Sequence, residues 1–316
     1  MTHPIWRSSF CALMLALVAN TALAETGISN LQALFAKMSR VSHDLNYRGS
    51  FTYQYANSPV LQSFRVSHWV EDEVEHERLE YLNGPEREVV RSGQQLDCLP
   101  PGDQLLQGRL TRMGSRLEQL DNFYQVKVLY EERIAGRTAT RLQVAPRDNF
   151  RHGFLLSVDQ DTGLVLSSLM VDAGGRVLER YQFIELEILP DASRLAQQPP
   201  AQRQRQAKAN LGGCNQTEVR EPDGWVLEWV PPGFVFAGQQ KIHEVRDMLM
   251  YTDGMTTFSV FIEPTETALP ELVGHRGATL ALMSRLTKGA DLYRVTVVGE
   301  IPQITAEQVA QGIRAH

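Results

Sequence analysis

The chain has 316 residues, of which 43% are hydrophobic and 22% are charged, a composition typical of folded globular proteins rather than disordered ones. This length suffices for two domains of ordinary size. The formal net charge of -6 argues against nucleic-acid binding, which needs a basic face.

The first 24 residues have the pattern of a cleaved secretory signal. Arg7 precedes an apolar stretch over 10–19, and the segment ends in the small-x-small sequence ALA at 22–24. The apolar stretch is too short to span a bilayer comfortably as a helix. We therefore expect residues 1–24 to be a signal peptide. The exported mature chain would then carry a net charge of -7, from 30 basic and 37 acidic residues.

Removal of the signal peptide takes away Cys11 and leaves Cys98 and Cys214. An oxidising compartment permits a disulfide between these two residues. In the chain-entropy description this bridge would contribute roughly 4–5 kcal/mol, because it closes a long loop. Two separate thiols are equally compatible with the sequence, since the Cα separation that a disulfide requires cannot be read from it. Cys98 and Cys214 are therefore a candidate disulfide.

The predicted elements of the mature chain begin with one amphipathic helix over 28–45. Its apolar residues recur at helical spacing: Ile28, Leu31, Leu34, Phe35, Met38, Val41 and Leu45.

Many short β-type segments follow the helix, separated by turn signals at 135–136, 161–163 and 173–175. Sequential hairpins predict an antiparallel meander. One helix cannot cover a sheet of so many strands. We therefore expect this sheet to curl on itself or to enclose something else.

Composition changes sharply at 190–213, which is rich in Pro, Gln, Ala and Arg and is typical of an interdomain linker. A second unit follows, with a hairpin signal at Asp253-Gly254 and a segment at 271–286 that is ambiguous between strand and helix. A terminal helix is predicted to be opened by Thr305, with Gln308 three residues later.

These elements predict a β-rich α+β protein. The expected organisation is a signal peptide at 1–24, a large β-rich domain at 25–190, a linker at 191–217 and a small α+β domain at 218–316.

Common catalytic fingerprints are absent from the sequence, including G-x-S-x-G, H-E-x-x-H, G-x-G-x-x-G, the Walker loop and C-x-x-C. His68, His76 and the acids near them could bind a divalent metal. A solvated, acid-rich turn between strands explains these residues better. We therefore expect no catalytic residue, no metal and no cofactor, and a binding protein rather than an enzyme.

Aromatic residues alternate with polar ones in the first predicted strand, at Phe51, Tyr53 and Tyr55. Such a stripe can line a ligand cavity, but its period alone favours an ordinary core packed against the helix. The alternation marks ten candidate lipid-facing residues: Phe51, Tyr53, Tyr55, Phe64, Val66, Tyr124, Val126, Val128, Phe154 and Leu156.

Five segments in register resemble the RseB/MucB family of periplasmic regulators. They are LEYLNGPEREVVRSG at 79–93, VAPRDNFRHGFLLSVDQDTGLVLSSLMVD at 144–172, EWVPPGF at 228–234, YTDGMTTFSVFIEP at 251–264 and VTVVGEIPQITAEQVAQGI at 295–313. The resemblance extends over essentially the whole mature chain and includes no catalytic fingerprint.

The resemblance implies a first domain similar to LolA-type lipoprotein carriers: a strongly bent antiparallel half-barrel closed partly by helices. It also implies a periplasmic protein that binds the periplasmic part of a RseA/MucA-type anti-sigma factor and shields it from regulated proteolysis. The envelope-stress sigma factor then stays inhibited. Lipopolysaccharide or mislocalised lipoprotein is expected to release the inhibition, and in pseudomonads the system controls alginate production. The family carries over no short motif that assigns a partner-binding residue.

Two other functions remain open at this point. The same half-barrel could serve a periplasmic lipid or lipoprotein carrier without a sigma-factor role, or the chain could be an exported hydrolase with no recognisable motif. Homo-oligomer formation is also compatible with the sequence.

Overall fold

A computed structural model describes residues 31–92, 121–196 and 224–315, apart from 32, 39, 42–43, 243–244 and 268–269. The described residues form two large antiparallel sheets, one of nine strands and one of six, and a small two-stranded sheet. The predicted β-rich α+β fold is confirmed.

The nine-stranded sheet has the order β4-β3-β2-β1-β9-β8-β7-β6-β5, in which two antiparallel meanders, β1 to β4 and β5 to β9, join through the pairing of β1 with β9. Its strands are β1 (Asn46–Tyr55), β2 (Gln62–Glu71), β3 (Val74–Tyr81), β4 (Glu88–Ser92), β5 (Tyr124–Ile134), β6 (Arg137–Pro146), β7 (Gly153–Asp159), β8 (Val165–Val171) and β9 (Val177–Leu189). The turn between β5 and β6 has positive φ at both Ala135 and Gly136, 49° and 79°, as the favoured two-residue hairpin turn requires.

The sheet is strongly curved. Four strand spacings separate β9 from β5, which in a flat sheet would amount to about 19 Å, yet β5 and β9 are in contact. Register shifts at Ser50/Phe51, Val128/Tyr130 and Ser157/Val158 mark bulges, which bend a sheet locally. The expectation of a sheet that curls on itself is therefore confirmed.

The concave face of this sheet holds the first hydrophobic core. The described part of helix α1, over 31–41, buries Leu34, Met38 and Val41 against it. Lys37 Nζ donates a 2.6 Å hydrogen bond to the carbonyl of Gln160 in the β7–β8 turn. Across the strands, the register aligns Phe51 with Phe64 on one side and with Phe183 on the other.

After the short helix α2 (Ser193–Ala196), the second unit begins with β10 (Trp225–Leu227), which pairs with the last strand, β17 (Ile313–Ala315). The six-stranded sheet has the order β11-β12-β13-β16-β15-β14. Its strands are β11 (Val235–Ile242), β12 (Arg246–Thr252), β13 (Thr257–Pro264), β14 (Leu272–Arg276), β15 (Thr279–Lys288) and β16 (Asp291–Gly299). The ambiguous segment at 271–286 is thus a hairpin.

Helix α3 (Gln303–Gln311) covers the second core, where it buries Ala306 and Val309. The predicted cap was wrong. Pro302 is the N-cap, without a side-chain capping bond, and Thr305 lies within the helix. The Thr305 hydroxyl instead donates a 2.9 Å hydrogen bond to the carbonyl of Phe150 in the first unit.

Candidate functional site

Nine of the ten candidate lipid-facing residues lie in or against the core of the first unit. Seven are buried in its hydrophobic cluster: Phe51, Tyr53, Phe64, Val66, Tyr124, Phe154 and Leu156. Tyr55 and Val126 are partly buried against the same cluster, whereas Val128 is 48% exposed near the sheet edge. The structure thus brings nine of the ten residues together and leaves Val128 at the surface.

The aromatic rings among them pack against one another. The rings of Phe51 and Phe64 stack with centroids 5.1 Å apart, and Phe51 also meets Phe183 at 5.7 Å. Tyr53 and Tyr55 make an edge-to-face contact at 4.8 Å. This arrangement agrees with the core interpretation of the aromatic stripe. Lipid contact by these residues stays a prediction.

The most highly organised polar cluster lies between the two units. Arg151 precedes β7, and Asp253 lies in the turn between β12 and β13. Their side chains are both 0% exposed, and Arg151 Nη1 is 2.7 Å from Asp253 Oδ2. The hydroxyl of Tyr124, at the start of β5, donates to the same oxygen at 2.9 Å. The carboxylate therefore receives two donors from the first unit.

The turn itself holds the other oxygen of this carboxylate. Asp253 Oδ1 accepts hydrogen bonds from the backbone N–H groups of Met255 at 2.9 Å and Thr256 at 2.8 Å. Asp253 combines a local turn-forming role, common for aspartate, with a long-range ion pair. The turn thus holds one oxygen of the carboxylate, and the first unit contacts the other.

Arg151 is enclosed by aromatic rings from both units. Its guanidinium carbon lies 5.1 Å from the ring centre of Phe123, 5.4 Å from that of Tyr124 and 5.2 Å from that of Phe234. Such placement over ring faces is favourable for a cation. Arg151 Nη2 also donates to the carbonyl of Pro232.

The ionisation states within this cluster follow from its surroundings. Burial opposes the charge of Arg151, but its bond to Asp148 and the charge of Asp253 outweigh that effect and raise the pKa of Arg151. Burial and then the negative charge of Asp253 raise the pKa of Tyr124 well above its usual value. The Tyr124 hydroxyl therefore stays protonated and available as a donor.

Two glycines let the units approach closely. A Cβ on Gly233 would lie 2.4 Å from the Phe123 ring, and one on Gly277 would lie 2.6 Å from the Tyr55 ring. Both have positive φ, 86° and 63°, which glycine adopts at least cost. Arg276, next to Gly277, lies over the Tyr55 ring at 4.7 Å.

A second acidic position lies at the same contact. Glu179 of β9 is 2% exposed and accepts a hydrogen bond from the Tyr53 hydroxyl. Burial, and then the negative charge of Glu300 beyond β16, raise the pKa of Glu179 well above its usual value. The domain contact therefore contains a carboxyl group that favours its neutral form.

The outer strands carry exposed apolar residues. In β5, Val128, Leu129 and Tyr130 are 48%, 39% and 57% exposed, and in β14, Leu272 and Val273 are 55% and 44% exposed. Within the described residues, β5 and β14 are each paired on one side only. A sheet edge of this kind can add an extended strand from a partner chain.

Among the described residues no group of three or more His, Cys, Asp or Glu side chains is arranged to hold a metal. His68 is instead bonded to the Leu45 carbonyl at 2.7 Å and to Glu75 at 3.1 Å, and His76 stacks on Trp69. No helix in the described part of the chain has the length and hydropathy needed to cross a bilayer. Cys98 and Cys214 lie outside the described residues.

Sequence reasoning missed Arg151 and assigned Asp253 only to a turn. No local pattern could pair them, because 102 positions separate the two residues. The one available signal was their presence in two of the segments that resemble the RseB/MucB family, at 144–172 and 251–264.

Each of the two units matches a family model. Residues 30–205 match the MucB/RseB N-terminal domain and residues 219–314 match the MucB/RseB C-terminal domain.

Curated relatives extend over nearly the whole chain. The chain is 34% identical to the sigma factor AlgU regulatory protein MucB of Pseudomonas aeruginosa, with 96% of each chain covered. It is 27% identical to the sigma-E factor regulatory protein RseB of Escherichia coli K12, over 89% of this chain and 90% of the relative.

Solved structures agree with these matches. MucB in complex with MucA(peri) is 32% identical and aligns with a TM-score of 0.68, covering 90% of this chain and 98% of that one. MucB alone aligns with a TM-score of 0.66 at the same identity and coverage. Because both domain models match in order and a relative above 30% identity spans nearly the full length, the chain belongs to the MucB/RseB family.

Proposed function

We propose that this protein is a non-enzymatic periplasmic regulator that binds the periplasmic part of a transmembrane anti-sigma factor. Binding would shield that segment from regulated proteolysis and so keep an envelope-stress sigma factor inhibited. The observation that carries this proposal is the match to MucB solved in complex with MucA(peri), in which the alignment covers 90% of this chain and 98% of the MucB chain.

The architecture is suited to such a role. The edges at β5 and β14 present backbone groups and apolar side chains to solvent, so an extended segment of the partner could add to either sheet. A segment held in this way is inaccessible to a protease, which needs a free and flexible chain.

Release by lipopolysaccharide or mislocalised lipoprotein is part of the same proposal. A lipid can release the partner only if lipid and partner favour different states of the protein. The nine candidate lipid-facing residues that pack together are buried or partly buried in the first core. A lipid-bound state would therefore have to differ from the structure described above by opening this core.

The test is a calorimetric titration of the chain lacking residues 1–24 with the periplasmic segment of a RseA/MucA-type anti-sigma factor. A scrambled segment of the same composition is the control. We expect saturable binding of the native segment and protection of that segment from the protease that carries out its regulated proteolysis. Lipopolysaccharide fragments should weaken binding. If lipopolysaccharide fragments leave the affinity unchanged, the protein is an inhibitor of proteolysis but not a lipid sensor.

The alternative is a lipid carrier without a sigma-factor role, which the curved sheet with an aromatic concave face favours. It predicts that the purified protein carries extractable lipid and does not bind the anti-sigma segment. Mass spectrometry of an organic extract, made from the sample used for the titration, separates the two functions.

A further inference from the structure

The two domains meet through one end of the six-stranded sheet. The register aligns Phe258, Gly299 and Leu280 across β13, β16 and β15. The turns that adjoin these positions, at 253–256 and 277–278, therefore lie at one end of the sheet, together with the segment at 300–302. This end is the one that contacts the first domain.

Apolar parts of this end enter the first core. Met255 and Ala278 are 6% and 3% exposed and belong to the same hydrophobic cluster as Phe51 and Tyr124. The second domain therefore completes the core of the first domain instead of touching only its surface.

Apolar contact alone would tolerate small shifts of one domain against the other, because hydrophobic attraction is non-directional. The bonds of Asp253 do not have this tolerance. Its Oδ2 atom lies 2.7 Å from Arg151 and 2.9 Å from Tyr124, and all of these side chains are buried. A displacement of about 1–2 Å would break both bonds to Oδ2. Arg151 would then keep Asp148 of its own domain, and Asp253 would keep only the N–H groups of its own turn.

The effect of a buried ion pair on stability depends on whether one or both of its charges are removed. Replacing both charges of such a pair by apolar groups is often neutral or stabilising, whereas removing one charge strands the other and is strongly destabilising. The pair therefore contributes more to the choice of one arrangement than to the total stability of the fold.

We propose that Arg151, Tyr124 and Asp253 form an interdomain latch that holds the two domains in a single arrangement and whose opening separates them without unfolding either sheet. The latch is inferred from the distances and burial of these three side chains and does not depend on the proposed function. Its consequence for partner binding rests on the proposed function, because a partner that contacts both domains would lose affinity when they separate.

The test uses the full chain without residues 1–24 and the substitution Asp253→Asn. This change removes the charge but keeps the size of the side chain. The matched control is Asp172→Asn in the β8–β9 turn. Asp172 Oδ1 likewise accepts backbone N–H bonds, from Gly174 and Arg176, and Asp172 pairs with the exposed Arg176 side chain.

Small-angle X-ray scattering measures the separation of the domains, and hydrogen exchange locates the opened segments. For Asp253→Asn we expect a larger maximum dimension. Exchange should be faster by roughly tenfold or more at 123–124, 150–152 and 253–256, while the strands of both sheets, apart from Tyr124 at the start of β5, stay protected. Asp172→Asn should match the wild type in both measurements.

Scattering and exchange of Asp253→Asn that are indistinguishable from the control would overturn the latch. If Asp253→Asn lost protection throughout both sheets, Arg151→Lys decides the question. It keeps the charge and loses the planar fork that reaches Asp253 and Pro232 together. Local opening in Arg151→Lys supports the latch, and wild-type behaviour rejects it.

Titration of the same variants with the anti-sigma segment separates the two proposals. If the wild type binds, Asp253→Asn should bind at least tenfold more weakly than Asp172→Asn. If the wild type does not bind, the proposed function fails, and scattering and exchange still decide on the latch.

Discussion

The core of the first domain and the contact between the two domains are built on opposite principles. The core consists of aromatic and aliphatic residues at alternating positions, with Phe51 and Phe64 as its stacked centre. At the domain contact Met255 and Ala278 extend this core, and the buried ion pair of Arg151 with Asp253 adds directional bonds between the two domains. Apolar packing tolerates displacement, and hydrogen-bonded charge does not. The core should therefore govern whether the chain folds, and the contact should govern which domain arrangement it adopts.

Truncation within the core should have the largest effect on folding. Phe64 is 0% exposed, so Phe64→Ala should lower the free energy of unfolding by about 3–5 kcal/mol, as measured by chemical denaturation. The control is Ile184→Ala at a position that is 62% exposed, where we expect little change. Similar losses for both variants would contradict the placement of the core.

Removal of one latch hydrogen bond should have a smaller effect that is confined to the domain contact. Tyr124→Phe deletes the 2.9 Å bond to Asp253, and bonds to charged groups contribute about 1.5–3 kcal/mol. We expect faster hydrogen exchange at 253–256 with unchanged protection of the strands. Tyr130→Phe, at a tyrosine that is 57% exposed, is the control. A uniform loss of protection would show that the contact and the core are not separable.

Glu179 should make the contribution of the domain contact depend on pH. Because burial and Glu300 raise the pKa of Glu179, folding favours the protonated form. Its stabilising contribution is then fully present below the pKa of the unfolded chain and is lost as pH rises through the higher pKa of the folded chain.

Glu179→Gln imitates the neutral form and should unfold at a higher temperature than the wild type, with a difference that widens from acidic to neutral pH. Thermal unfolding across that range is the measurement. The control is Glu187→Gln on the same strand, where the side chain is 47% exposed and pairs with Arg48. A difference that is constant with pH would reject the proposed role of Glu179.

Change at an exposed sheet edge should have the smallest effect on stability. Val273 of β14 is 44% exposed, and Val273→Thr keeps the β-branched shape, so the unfolding free energy should change by less than about 0.5 kcal/mol. A larger loss would show that this edge is covered. Titration of the same variant with the anti-sigma segment would show whether the edge contacts that partner.

Turn residues and the alternation of hydrophobic residues predicted much of the strand pairing in the first domain. The signals at 135–136, 161–163 and 173–175 each join paired antiparallel strands, because glycine at positive φ closes a hairpin in almost any context. The same reasoning failed where contacts between the domains determine the role of a residue. Thr305 looked like a helix cap and instead bonds to Phe150 in the other domain, which no local pattern encodes.

The sequence by itself determined the β-rich α+β fold class, the antiparallel meander of the first domain and the aromatic residues of its core. Five segments that resemble RseB/MucB proteins also indicated the family. These features follow from neighbouring residues, whose period and turn preferences are local properties of the chain. Only the tertiary structure decided that the second domain completes the first core and that Arg151 meets Asp253 across 102 positions. A contact of that range depends on how the two sheets pack against each other, and a buried ion pair forms only where that packing excludes water.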